Sequence, residues 1–304
     1  MQPLVSIALC TYNGEKFLRE QLDTLVYQTY PNLEIIAVDD CSKDSTLTIL
    51  KEYEKQFPFL KVYQNEINLG FVKNFEKAIS LCVGDFVALS DQDDIWSLSK
   101  ISILENKIGG NILIYHDSEL IDSTGEPIGR KISDKFNMFS GSDARKLLFF
   151  NCLSGHAMLF KKALLPQIIP FHTLLLHDWW IAYIAANVGN IEYVPDCLIK
   201  FRQHINSQTD FNNFKKQQKK KYILSNWLQA CKLLTLNRYP DFVVKLANLY
   251  RQHDDSWFMP ELVKFIFQNR LVLLALQKKS STSKLNYIYK MIWGNKWRQQ
   301  IYKR

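Results

Sequence analysis

The sequence predicts an α/β fold: an open, mostly parallel sheet with helices on both faces, followed by a basic C-terminal helical extension. Three observations carry this. Short apolar, β-branched runs alternate with segments of helical periodicity through residues 1–110, the rhythm of a parallel sheet. Polar clusters follow the runs at their carboxyl ends, where open α/β sheets bind ligands. The charge balance then reverses after residue 213. Residues 1–213 carry 19 Lys+Arg against 26 Asp+Glu, and residues 214–304 carry 19 against 4.

Leu4–Cys10 is apolar and reads as the first buried strand. Gly14–Tyr27 spaces Phe17, Leu18, Leu22, Leu25 and Val26 as one face of a helix. Pro31 resets the chain into a second strand, Leu33–Val38, and Ser42-Lys-Asp-Ser-Thr46 opens another helix. Leu60–Tyr63 is a short strand, Phe71–Leu81 a helix and Asp85–Leu89 a fourth strand. Further on, Ile112–His116 and Ser154–Phe160 look extended, and Asp143–Phe150 and Asp178–Asn187 helical. Ile191–Val194 and Leu198–Phe201 read as two extended pieces. The tail reads as helices with apolar faces, notably Leu262–Leu276. These patterns divide the chain into a first domain, 1–213, and a basic helical region, 214–304. Within the first domain, residues 1–110 carry the regular strand–helix alternation, and residues 111–213 are less regular.

With 304 residues, 47% of them hydrophobic, the chain can bury a substantial core. Its opening lacks the charged region of a signal peptide, and no apolar run reaches the roughly 18 residues of a membrane span. Cys10, Cys41, Cys82, Cys152, Cys197 and Cys231 show no zinc spacing and read as buried thiols of a reducing compartment. The expected location is the cytoplasm, in peripheral contact with the inner face of the cell membrane.

The densest chemistry is Ser90-Asp91-Gln92-Asp93-Asp94-Ile95-Trp96 at the end of the fourth strand. Asp91, Asp93 and Asp94 repel one another, a repulsion that a Mg²⁺ or Mn²⁺ ion removes. An Asp-rich turn is the plain alternative, with Asp94 capping the next helix. Asp39-Asp40 ends the second strand, where a carboxylate can accept from a ribose hydroxyl or a pyrimidine N3–H, or cap the next helix. Tyr12 can stack on a base or be an ordinary half-buried Tyr. Asn68-Leu-Gly70 opens a helix as a turn whose backbone can approach a ligand, with Lys73 in its first turn. In His177-Asp178-Trp179-Trp180 the carboxylate either answers the helix dipole or, desolvated by the indoles, becomes a general base. Arg202 can offset phosphate charge, and His204 can complete a cation's shell.

Together these pieces resemble the family 2 glycosyltransferases, which have the GT-A (nucleotide-diphospho-sugar transferase) fold. The likeness covers about residues 3–210. It rests on the order of Val5–Gly14, Gln28–Glu34, Val38–Ser45, Asn68–Gly70 and the Asp91-Gln-Asp93 form of the family's DxD motif. Ser154-Gly-His-Ala-Met158, His177–Trp180 and Arg202–His204 are similar to bacterial polysaccharide rhamnosyltransferases. One departure is Ser97-Leu-Ser-Lys100, which lacks the proline that often follows the family's motif.

The resemblance implies that Cys10, Thr11 and Tyr12 line a nucleobase pocket and that Asp40 reaches the base or ribose. Asp91 would face ribose or sugar, and Asp93 with His204 would ligate Mn²⁺ or Mg²⁺ at the diphosphate. Asp178 would be the base of an inverting transfer to a saccharide hydroxyl. A dTDP-linked deoxysugar such as L-rhamnose is the favoured donor, with a UDP-hexose as the alternative. The implied acceptor is a lipid-linked polysaccharide.

The tail adds partners. Lys215, Lys216 and Lys219–Lys221, with Trp227, Trp257, Phe265, Phe267, Tyr289, Trp293 and Trp297, suit an anionic lipid surface. A solvated basic face or a homodimer interface is the plainer reading. A non-catalytic glycan- or nucleic-acid-binding protein is the competing class, but phosphate binding would not account for the acidic strand ends.

Overall fold

The computed structural model describes residues 2–172, 175–204 and 220–293. β1 (Val5–Thr11), α1 (Glu15–Val26), β2 (Leu33–Asp39), α2 (Thr46–Gln56), β3 (Leu60–Gln64), α3 (Phe71–Leu81) and β4 (Phe86–Ser90) alternate as expected. Next come β5 (Ile95–Trp96), α4 (Lys100–Ile108), β6 (Leu113–Ile121), β7 (Pro127–Lys131), β8 (Met158–Lys161) and α5 (Leu165–Ile168). α6 (His177–Val188) and β9 (Ile191–Arg202) complete the sheet and its covering helices. Five helices follow: α7 (Lys220–Leu233), α8 (Pro240–Asp255), α9 (Pro260–Gln268), α10 (Arg270–Leu273) and α11 (Ser281–Tyr289).

The strands form one sheet in the order β3-β2-β1-β4-β8-β6-β9-β5, with β7 on β6. β3, β2, β1 and β4 run parallel. β8 is antiparallel to both β4 and β6, and β9 returns parallel to β6. The register sets Thr11 beside Asp39 and Leu9 beside Ser90, so the loops after β1, β2 and β4 leave from one edge. The strand order reverses between β1 and β4, whose carboxyl ends both lie at that edge, where such sheets bind ligands.

Because strand side chains alternate faces, the sheet builds two cores. Ile7, Leu9, Ile35 and Ala37 pack with Leu18, Leu22, Leu50 and Leu104 from α1, α2 and α4. Ala8, Ile36, Val38 and Leu89 pack on the other face with Phe75, Ile79, Ile181 and Ile184 from α3 and α6. Trp227, Leu246, Leu262 and Leu273 of the C-terminal helices belong to this second cluster. The boundary expected at residue 213 lies outside the described residues.

Four local expectations change. Ser154–Phe160, expected to be extended, opens with a 3₁₀ turn at Gly155–Ala157 before β8 begins. The helix expected over 143–150 is only a 3₁₀ turn, Ala144–Leu147. The carbonyls that would continue it are occupied by indoles: Trp179 Nε1 donates to Leu147 O at 2.6 Å and Trp227 Nε1 to Leu148 O at 3.0 Å. The two pieces expected between 191 and 201 are one strand, in which the register on β6 skips residues 195 and 196. Pro195 therefore sits in a bulge, where its missing N–H costs no ladder bond. The helix expected over 262–276 breaks at Asn269, whose side chain turns back to Phe265 O at 2.8 Å.

Candidate active site

The loops after β1 and β2 are stitched into one rim. Asn13 N donates to the Ser42 hydroxyl at 2.9 Å, Lys43 N to Asn13 Oδ1 at 2.8 Å and Gly14 N to Thr46 Oγ1 at 2.8 Å. Asn13 (φ 47°) and Cys41 (φ 63°) hold the left-handed backbone that only an over-determined loop keeps. Gln92 locks this rim to the acidic turn. Its Oε1 accepts from Tyr12 N at 2.8 Å and its Nε2 donates to Tyr12 O at 3.0 Å, leaving the Tyr12 side chain 46% exposed.

Below the rim, Asp39 and Asp40 are buried. The Asp39 carboxylate accepts from the Thr11 and Ser42 hydroxyls and from Ser42 N. Asp40 accepts from Asn65 Nδ2 at 2.7 Å, Leu69 N at 2.8 Å and Gly70 N at 2.9 Å. These bonds fix the Asn68–Gly70 turn at the start of α3, where Gly70 has φ 78°. Asn68 completes the turn, accepting from Gly70 N and donating to Asp40 O.

The acidic turn divides its three carboxylates. Asp93 Oδ2 lies 2.8 Å from His204 Nε2, both side chains partly open to solvent. Asp94 is fully buried: one oxygen accepts from Arg202 N at 3.1 Å, and the other makes no hydrogen bond but lies 3.4 Å from His156 Nδ1. Asp91 is 44% exposed and 3.6 Å from the same imidazole nitrogen. Burial acts to raise the Asp91 carboxyl, but the adjacent His156 imidazole, with Lys100 behind it, outweighs burial and holds it low. Burial and the Asp93 and Asp91 charges push the Asp94 carboxyl up. Lys100 is buried behind this turn, donating to His156 O at 2.5 Å over the Trp96 ring.

Among the described residues, donor atoms of Asp91, Asp94 and His156 lie within 4.8 Å of one another. Carboxylate oxygens are the donor chemistry of Mg²⁺ and Mn²⁺ sites, and a neutral imidazole can complete a cation's shell, so the acidic turn fits such an ion. The two candidate sets differ in access. Asp94 and His156 are sealed from solvent, whereas Asp91, Asp93 and His204 are open to it.

Asp178 stands in the first turn of α6, accepting from Trp179 N at 2.6 Å. It keeps some solvent contact but is set deeply, and burial, with the Asp91 charge, pushes its carboxyl up to about 7. Gly155 explains how the 154–157 turn comes so close. A Cβ on Gly155 would stand 3.1 Å from His177 Nε2, 3.6 Å from Leu89 Cδ1 and 3.8 Å from Asp178 Cβ. His177 stacks on Phe75 with ring centroids 4.4 Å apart, and burial lowers its pKa to about 4, so it is neutral.

Several expected roles change. Cys10 and Thr11 are buried and back the rim, leaving Tyr12 as its exposed side chain; burial also pushes the Cys10 thiol up. Asp40, with its oxygens on Asn65, Leu69 and Gly70, holds a loop and does not reach outward. Lys73 Nζ is taken by Glu76 at 2.8 Å, and Glu76 also accepts from Phe171 N. Arg202 is buried, bonding Glu20 at 2.6 Å and Asp93 O at 2.8 Å, so it anchors the acidic turn and offers phosphate no free face. Asp94 does not cap α4; Ser99 precedes that helix. Trp227 and Phe265 lie in the core, unable to face lipid, and Lys215, Lys216, Lys219 and Trp297 lie outside the described residues. Gln92, His156 and Lys100 are the residues sequence reasoning missed. Gln92 lies between the two Asp residues and His156 within the Ser154–Met158 element, but the sequence assigns neither a role, and Lys100 carries no signal.

Residues 6–165, more than half of the chain, match the glycosyl transferase family 2. The dTDP-rhamnosyl transferase RfbG of Shigella flexneri is 28% identical over 287 residues, covering 89% of this chain and 93% of that protein. An uncharacterized glycosyltransferase of Haemophilus influenzae is 26% identical over 236 residues, 73% of this chain and 72% of its own. TarS of S. aureus, solved with UDP-GlcNAc, superposes with a TM-score of 0.62 at 17% identity, over 89% of this chain and 81% of that one. The mannosyltransferase PcManGT of Pyrobaculum calidifontis, solved with GDP-Man and Mn²⁺, gives 0.54 at 17% identity, over 98% and 88%. At such identities the two structures speak for the fold alone, which is GT-A. The family match lies over the strand-end site itself, and the chain belongs to glycosyl transferase family 2.

Proposed function

We propose that this glycosyltransferase moves L-rhamnose from dTDP-L-rhamnose to a hydroxyl of a growing, lipid-linked cell-surface polysaccharide, with inversion at the anomeric carbon. The observation that carries the reading is Asp178, a carboxylate whose pKa is raised to about 7 by burial at the edge where β4 delivers the acidic turn. Such a group can take a proton at neutral pH and hold it. Asp178 removes the acceptor's hydroxyl proton, and that oxygen forms the new bond to the anomeric carbon. The bond to the diphosphate oxygen breaks on the opposite face, and the nucleoside diphosphate leaves with the electron pair.

The remaining residues position the donor. Tyr12, held by Gln92, stacks on the base, and Asp40 fixes the Asn68–Gly70 turn beside it. Asp91 meets the ribose or sugar. Asp93 and His204, the open members of the acidic turn, would hold the Mn²⁺ or Mg²⁺. Such an ion, when bound, neutralises the charge that develops on the leaving diphosphate. The buried Asp94, His156 and Lys100 support this turn from behind. The likeness to the Shigella dTDP-rhamnosyl transferase, over nearly the whole of both chains, favours this donor.

Thermal-shift measurements with dTDP, UDP and GDP in Mn²⁺, followed by hydrolysis of the matching nucleotide sugars, test the reading. Stabilisation by dTDP and turnover of dTDP-L-rhamnose that stops on chelation are expected. Turnover of a UDP-hexose alone would replace the donor, and turnover that survives chelation would remove the metal. Binding without turnover of any donor would leave a glycan-binding protein.

A further inference from the structure

The helices at the C-terminal end expose aromatic and aliphatic side chains that the transfer reaction does not use. Trp257 is 49% exposed, Phe258 52%, Phe267 46%, Leu271 82% and Tyr289 62%. They are not scattered. The turn before α9 pairs with the end of the α11 segment through a Phe258–Trp293 bridge, a Met259 N–Ile292 O bond of 2.8 Å and ring centroids 5.9 Å apart. That turn therefore carries Trp257 and Phe258 close to the segment bearing Tyr289 and Lys290. Lys264 and Phe267 lie three residues apart on the exposed side of α9, and Leu271 is exposed just beyond the break at Asn269. Residues 257–293 contain six Lys and Arg and a single acid, Glu261.

We infer that this face, formed by the 257–258 turn, α9, α10 and the outer side of α11, docks on a membrane surface containing anionic lipids. Aromatic rings and Leu at the surface enter the headgroup boundary, and flanking cations meet lipid phosphates. Duplex nucleic acid fits less well, because it offers no apolar phase for Leu271 and Phe267. Charge alone would suit either partner, and the exposed aliphatic side chain decides between them. The inference rests on the lipid-linked acceptor reading only for its purpose, since an enzyme held on the bilayer meets a lipid-carried acceptor in two dimensions.

The test is co-sedimentation of the full chain with vesicles of phosphatidylcholine, with and without phosphatidylglycerol, and binding to duplex DNA at the same salt. Two variants are compared: W257S/L271S, and K264E/K279E, which reverses exposed cations on α9 and on the segment between α10 and α11. The unmodified chain is expected to bind phosphatidylglycerol vesicles and not pure phosphatidylcholine. Each lost cation is expected to weaken binding about fivefold. The apolar variant is expected to bind several-fold more weakly, by a deficit that added salt does not abolish. Melting temperature and donor hydrolysis in solution should match the parent for both variants. Absent vesicle binding, tighter binding to DNA, or unchanged binding in both variants would each overturn the proposal. Donor hydrolysis is read without vesicles, so a failed donor assignment and a failed docking surface are told apart.

Discussion

Asp178 is where a single residue's environment sets the chemistry. Its carboxyl, pushed up to about 7 by burial and the Asp91 charge, ionises near neutrality. Transfer is expected to rise with pH through about 7 and then level off. D178N is expected to lose roughly 10²–10⁴-fold in turnover while keeping its nucleotide affinity. The linked stability has a definite sign. A carboxyl raised on folding binds its proton more tightly in the native state, so its contribution is complete below pH 4 and is lost as pH rises through 7. The Asn variant should therefore gain stability over the parent at pH 8, on the order of a few kcal/mol, and none at pH 4. Denaturant melts at both pH values and a pH–rate profile check this; near-normal turnover in D178N would remove Asp178 as the base. Asp178 was legible in the sequence because two Trp residues follow it directly. Lys100 was not, because a lysine at a helix start reads as solvated. Only the fold reveals that Trp96 and the His156 carbonyl enclose it.

At the scale of elements, the β1–α1 loop and the acidic turn form one unit held by Gln92. Gly14 makes the clamp possible through space and not through backbone freedom, since its φ is an ordinary −108°. A Cβ there would overlap Gln92 Oε1 and Cδ outright. G14A should therefore expel the Gln92 amide, free the Tyr12 backbone and loosen the base platform, at a cost near that of two hydrogen bonds, about 2 kcal/mol. The expected readout is a roughly tenfold or greater rise in donor KM, matched by Q92A and not deepened in the double variant. Additive losses would show the two residues acting separately. The alternation of strands and helices up to β4 was legible, because buried parallel strands are continuous apolar runs and each helix has one apolar stripe. The elements after β4 were harder. β5 has only two residues, β9 runs through a bulge at Pro195, and the 144–147 turn is stopped by indole donors from distant helices. No local pattern encodes such contacts.

For the whole molecule, the charge reversal after residue 213 suggested an appendage, yet the C-terminal helices share one core with the sheet, α3 and α6. Trp227 of α7 is the joint. Its ring lies 4.7 Å from Trp179, 6.2 Å from Trp180 and 5.3 Å from Tyr183, and its N–H holds the Leu148 carbonyl. The three rings belong to α6, the helix that carries Asp178 in its first turn, so the tail bears on the proposed base through this aromatic cluster. W227A would leave a cavity at a fully buried site and an unpartnered carbonyl, a loss of about 3–5 kcal/mol. W227F refills most of the volume and isolates the hydrogen bond, about 1 kcal/mol. Near-UV circular dichroism and denaturant melts should show a single cooperative transition moved to lower denaturant in W227A, with turnover at low temperature reduced through the drift of α6. If the tail were a separate unit, W227A would instead split the melt in two and leave the catalytic half at its original midpoint. One cooperative transition is expected because a single apolar cluster runs from Ala8 and Leu89 of the sheet to Leu262 of α9 and Leu273 of α10.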